Sequence, residues 1–131
     1  MRYLTIEQRE SLVKALKSRS SVLVGEIAAA LRQKDTPESI HLANRFEEVR
    51  EEALADLELA LDIAAVERDI AELRRITEAQ NRIHTPEYGV CADCSEVIPY
   101  TRLQAEPSAV RCIACQRARE ERAGKGAPPS L

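Results

Sequence analysis

All four cysteines of the chain fall within Cys91–Cys115, as Cys91-Ala92-Asp93-Cys94 and Cys112-Ile113-Ala114-Cys115. A Cys-x-x-Cys spacing lets one tight turn aim two sulfurs at a single point. Two such turns, closed by the 17 residues between Cys94 and Cys112, supply the four tetrahedral donors that Zn²⁺ prefers, at about 2.3 Å each. Cys91, Cys94, Cys112 and Cys115 are therefore the expected ligands of one structural Zn²⁺. A closed four-thiolate shell keeps no position for water, so the metal would fold the loop rather than catalyse a reaction. Four thiolates around one Zn²⁺ leave two excess negative charges. Arg102, Arg111 and Arg117 stand close enough in sequence to offset them, and turn N–H groups can donate to the sulfurs. Two other readings of the same residues stay open: buried free cysteines, and a thiol–disulfide redox pair.

The elements that must position this segment are helical. Leu12, Leu16, Leu23, Ile27 and Leu31 recur at helical steps among charged residues, predicting a helix over about 5–33. Thr5 followed by Gln8 has the form of a capping box. Lys-Asp-Thr-Pro-Glu-Ser, starting at Lys34, interrupts the pattern. Asp35 or Thr36 could cap a new helix with Pro37 in its first turn. A second, longer helix is expected from about Pro37 to Ile83. Its seam of Leu59, Ile63, Val66, Ile70 and Leu73 steps by 4 and 3, and Ile76 or Thr77, Gln80 and Ile83 extend it less strictly. Two long helices with one apolar stripe each bury those stripes against one another. The expected fold class is all-α: a long antiparallel coiled-coil helical hairpin (residues 1–86), a small four-cysteine zinc finger (87–118), and a short C-terminal helix end with a flexible tail (119–131).

Composition agrees with this and excludes much else. The 131 residues are 44% hydrophobic and 31% charged, with only Tyr3, Phe46, Tyr88 and Tyr100 aromatic, which suits aliphatic seams. A mild net charge of −3 argues against general nucleic-acid binding by bulk electrostatics. No apolar run reaches the ~20 residues of a membrane span, and the charged N-terminus lacks a signal-peptide core. The expected location is cytoplasmic and the expected state monomeric. No nucleophile–base pair or phosphate loop is visible, so no enzyme is expected. His41 and His84 stand alone and read as surface or packing residues. Residues 44–58 carry six acids against Arg45 and Arg50, whereas the first twenty residues are net positive.

The stretch Tyr88-Gly89-Val90-Cys91 through Arg102-Leu103-x-Ala105-x-Pro107 to Cys112-Ile113-x-Cys115 resembles the four-cysteine finger of the DksA/TraR family of bacterial transcription regulators. A helical hairpin ahead of the finger is also similar to that family. The resemblance implies a regulator that binds RNA polymerase through its secondary channel and modulates promoter-complex stability, with no specific DNA and no membrane as partner. It implies an acidic hairpin tip of the form Asp-x-x-Asp-x-Ala. An ungapped count back from the finger sets Glu48, Glu51 and Ala53 at those positions, with glutamates in place of both aspartates. It also implies basic contacts to polymerase or to guanosine tetraphosphate at Arg68 and Arg75. Gln116 stands where ligand-responsive members carry lysine, which counts against that nucleotide as a cofactor. The alternatives are a zinc-finger nucleic-acid-binding protein, using the finger and the basic residues from Arg111 to Lys125, and a redox-sensing zinc-thiolate protein.

Overall fold

The computed structural model describes residues 3–48 and 64–126. The described elements are α1 (Ile6–Gln33), α2 (Pro37–Glu48), α3 (Ala64–Arg82), α4 (Tyr100–Ala105) and α5 (Ile113–Gly126). The fold is all-α, with α1 and α3 forming a long helical hairpin ahead of the cysteine segment. Leu59, Ile63, Glu51 and Ala53 lie outside the described residues. The chain packs as two compact units, one joining Met1–Ala15 to Ala79–Leu131 and the other formed by Leu16–Glu78.

In the Leu16–Glu78 unit the apolar stripe of α1 is buried as its spacing demands: Leu16, Leu23, Ile27 and Leu31 are all at most 1% exposed. Ser20 fills the helical step between Leu16 and Leu23 and is equally buried. Val66, Ile70, Leu73 and Ile76 form the facing stripe on α3. Arg19 donates two hydrogen bonds to Glu72, at 2.6 and 2.8 Å, so a forked ion pair flanks the apolar contact. Direct hydrogen bonding from Arg19 holds the Glu72 carboxyl below the usual range.

The break between α1 and α2 has a local cause. Asp35 takes a left-handed φ of 54°, which ends α1, and Pro37 supplies a first helical residue that needs no N–H partner. Of the two cap candidates the chain uses Thr36. The Ser39 N–H donates to Thr36 Oγ1 at 3.0 Å and the Thr36 N–H to Ser39 Oγ at 3.1 Å. Arg32, in the last turn of α1, reaches Glu47 and Asn44 on α2. Phe46, fully buried, anchors α2 with Ala43.

In the unit of Met1–Ala15 and Ala79–Leu131, α1 begins with the expected capping box. Thr5 N–H donates to Gln8 Oε1 and Gln8 N–H to Thr5 Oγ1, both at 3.0 Å. Leu12 faces inward from α1, and Ala79 and Ile83 from the end of α3. Arg9 donates to the Ile83 carbonyl, a partner for one of the carbonyls at the end of α3. The expected seam at Gln80 is corrected here: Ala79 is buried and Gln80 only partly so. A helix turning at 3.6 residues keeps positions 76, 79 and 83 on one stripe.

Candidate metal centre

After α3, short-range turns carry the chain into the cysteine segment. Thr85 N–H bonds to the Arg82 carbonyl at 2.7 Å. Gly89 takes φ +85°, a value a side chain disfavours, and this turns the chain into the first knuckle. An isolated antiparallel bridge pairs Val90 with Val97. Within it, Cys91 N–H donates to the Glu96 carbonyl at 2.8 Å and Ile98 N–H to the Gly89 carbonyl at 2.7 Å. Ser95, at φ 65°, closes the knuckle, with its N–H 3.0 Å from the Cys91 carbonyl. Pro99 then starts α4, whose Leu103 is fully buried beside Ile98 in the small core.

The second knuckle is a helix start. α5 begins at Ile113, directly after Cys112, and carries Cys115 in its first turn. The Gln116 N–H bonds to the Cys112 carbonyl at 3.0 Å. Free N–H groups at a helix N-terminus favour negative charge, so thiolates there are well placed. The two knuckles are joined through the backbone, where the Ala92 N–H donates to the Val110 carbonyl at 2.8 Å.

The four sulfurs converge. Cys91, Cys94, Cys112 and Cys115 place their Sγ atoms within 4.8 Å of one another, and the Cys94 and Cys112 sulfurs are 3.9 Å apart. Four sulfurs each about 2.3 Å from a tetrahedral Zn²⁺ would be separated by roughly 3.8 Å. The donor set therefore fits a metal ion of that kind. The same sulfurs compete for protons. Burial disfavours a charge on Cys91, but the N–H groups of Cys94, Cys112 and Asp93 outweigh it and bring its thiol down to about 6. Cys115 is pushed up to about 12, chiefly by its hydrogen bonds to Cys112 and Cys91. Cys94 also rises, although the Glu96 N–H acts in the opposite sense. A thiolate held by protonated neighbours is the arrangement in which a cation can replace the shared protons.

Of the arginines near in sequence, Arg111 donates to Asp93 at 3.0 Å and Arg102 to the Arg111 carbonyl at 2.9 Å. Arg117 is exposed. Sequence reasoning missed Arg119, which also donates to Asp93, at 3.2 Å. Its signal was available: Asp93 lies between Cys91 and Cys94, and Arg119 lies four residues, one helical turn, beyond Cys115. Burial alone would raise the Asp93 carboxyl, yet Arg119 and Arg111 hold it below the usual range.

The other expected site residues are not gathered here. Glu48 is exposed at the end of α2, and Arg68 and Arg75 are exposed on α3. Glu51 and Ala53 lie outside the described residues. No helix among the described residues is long and apolar enough to cross a membrane.

Comparison with known proteins bears on this centre directly. The profile of the prokaryotic dksA/traR C4-type zinc finger matches residues 86–121. The RNA polymerase-binding transcription factor DksA of Caulobacter vibrioides is 29% identical over 90 residues, covering 69% of this chain and 58% of that protein. The RNA polymerase-binding transcription factor DksA of Haemophilus influenzae is 29% identical over 77 residues, covering 59% of this chain and 53% of its own length. The matched segments thus span little more than half the length of these relatives. The solved structure of transcription factor DksA2 from Pseudomonas aeruginosa superposes with a TM-score of 0.61 at 27% identity, over 92% of this chain and 88% of that one. By its four-cysteine finger and by the helical hairpin that leads into it, the chain is similar to the DksA/TraR zinc-finger proteins.

Proposed function

We propose that this protein is a transcription regulator that binds RNA polymerase through its secondary channel and modulates promoter-complex stability without reading DNA sequence. The observation that carries the reading is the combination of a closed four-thiolate cluster with the α1–α3 hairpin, matched over 92% of the chain by a transcription factor of known structure. The curated relatives bear the name of polymerase-binding factors. The role is regulatory, not enzymatic, and cytoplasmic. The knuckle thiolates of Cys91, Cys94, Cys112 and Cys115 hold one Zn²⁺, whose contribution is to fold a segment too small for a core of its own.

In this reading the acidic residues Glu48 and Glu51, with Ala53, form the tip that acts near the polymerase centre. The exposed Arg68 and Arg75 contribute basic contacts to polymerase. Gln116, after the fourth cysteine, weighs against a response to guanosine tetraphosphate. Affinity comes from broad flanks, while the effect on transcription comes from a few placed charges. The experiment is a pull-down with bacterial RNA polymerase paired with in vitro transcription from a ribosomal-type promoter. Glu48→Ala with Glu51→Ala should abolish regulation and leave binding largely intact. A protein that fails to bind polymerase refutes the function. A double variant that regulates like the parent reduces the acidic cluster to a solvated helix face.

A further inference from the structure

Asp93 occupies an unexpected position for a carboxylate. It lies between Cys91 and Cys94 of the four-sulfur cluster, where four thiolates around one Zn²⁺ would concentrate two excess negative charges. Bulk electrostatics would favour a neutral or basic residue there. Its surroundings explain it. Arg111 Nε lies 3.0 Å and Arg119 Nε 3.2 Å from the same oxygen, Asp93 Oδ2. Arg111 immediately precedes Cys112, and Arg119 extends from α5, the helix that carries Cys115. One carboxylate on the first knuckle therefore grips both ends of the second. The grip is partly shielded: the side chains of Arg111 and Asp93 are 22% and 28% exposed, and that of Arg119 is 51% exposed. The Arg111 carbonyl is itself fixed by Arg102 Nε at 2.9 Å, so the backbone leading into Cys112 is held from two sides.

We infer that Asp93 is a positioning residue for the metal centre, which clamps Arg111 and Arg119 so that the two knuckles carrying the four cysteines are held against each other. The inference rests on the reading of the cysteine cluster as a Zn²⁺ site. Its chemistry gives it a sign that distinguishes it from simple charge. Through space, Asp93 repels the thiolate cluster's electrons less when neutral, so neutralising it should favour the more negative, deprotonated set and retain metal at least as well. As a clamp, its neutralisation releases two cations and loosens the junction between the knuckles, so metal retention should fall. Groups that orient metal ligands commonly account for 10–100-fold in affinity.

The test measures Zn²⁺ affinity and the rate of zinc transfer from the full-length protein to a chromophoric chelator. Asp93→Asn should weaken affinity about 10-fold, with far-UV circular dichroism unchanged. Asp93→Glu, which keeps the charge on a longer arm, should recover part of the loss. Arg119→Gln should weaken affinity in the parent and have little further effect in the Asp93→Asn background, because the guanidinium has already been released. Added salt should narrow the gap between parent and Asp93→Asn, since part of the clamp is exposed. Equal or tighter zinc binding by Asp93→Asn would overturn the clamp, as would fully additive effects of the two substitutions. A parent that holds no zinc overturns the metal reading itself. A parent that holds zinc, with both variants unmoved, overturns only the role of Asp93.

Discussion

Gly89 is the position where a single methyl group tests the packing around the finger most directly. Its φ of +85° costs a residue with a Cβ about 1–2 kcal/mol. A Cβ there would also lie 3.2 Å from Tyr3 Cε1, with Leu4 Cδ1 at 3.7 Å and Leu103 Cδ1 at 3.8 Å. The two leucine contacts are ordinary. The Tyr3 contact is tight, and the ring is tethered by the hydrogen bond from its hydroxyl to the Ile98 carbonyl, so displacing it adds about 1 kcal/mol. Alanine restricts the unfolded chain and returns about 0.4–1 kcal/mol. Gly89→Ala should therefore destabilise the protein by about 2 kcal/mol, which for a chain of this length lowers the melting temperature by roughly 7 °C. Thermal and urea melts of the zinc-loaded protein measure it. A cycle with Tyr3→Ala separates the two causes: removing the ring should relieve about 1 kcal/mol of the cost, and the backbone term should persist. An unchanged midpoint in Gly89→Ala would refute the left-handed turn. Equal costs with and without Tyr3 would refute the packing of the N-terminal segment on the finger.

Burial pushes the Tyr88 phenol up to about 12, and its hydroxyl donates to the Pro107 carbonyl at 2.7 Å. Because the folded value is raised, the stabilisation is fully present below about pH 10 and is lost as pH rises through about 12. Tyr88→Phe should cost about 1 kcal/mol at neutral pH and flatten the alkaline decline of the melting temperature. Glu72 behaves with the opposite sign: its carboxyl is lowered by Arg19, so its stabilisation is lost as pH falls through the folded value. Glu72→Gln should cost less than about 1 kcal/mol, because the pair is partly solvated, and should remove that acid sensitivity in urea melts. Leu73→Ala empties a fully buried position of the seam and should cost about 2–5 kcal/mol; a parental melting curve would mean that α3 does not pack there. Cys112→Ser should reduce bound zinc from one ion to none in native mass spectra while most of the helical circular dichroism remains.

Much of the architecture follows from chain-local rules. The spacing of Leu12, Leu16, Leu23, Ile27 and Leu31 determined a buried helical stripe, because a helix repeats its faces every 3.6 residues whatever lies opposite. Thr5 with Gln8, and Asp35 or Thr36 before Pro37, determined helix starts, because caps are satisfied within one turn, while the structure chose Thr36. The two Cys-x-x-Cys pairs determined the four-cysteine cluster that could hold a metal ion, because that spacing brings two sulfurs to one turn. Tertiary structure decided what depends on groups distant in sequence. Only packing selects Ala79 over Gln80 for the seam, since both lie near the stripe and the facing surface chooses the small side chain. Only the fold sets the Tyr3 ring on Gly89, 86 positions away, so the need for glycine there is invisible to local propensity. The contact of Asp93 with Arg111 and Arg119 is of the same kind: spacing sets these charges near the cysteines, but only closure of the loop between Cys94 and Cys112 places one carboxylate oxygen between two guanidinium groups.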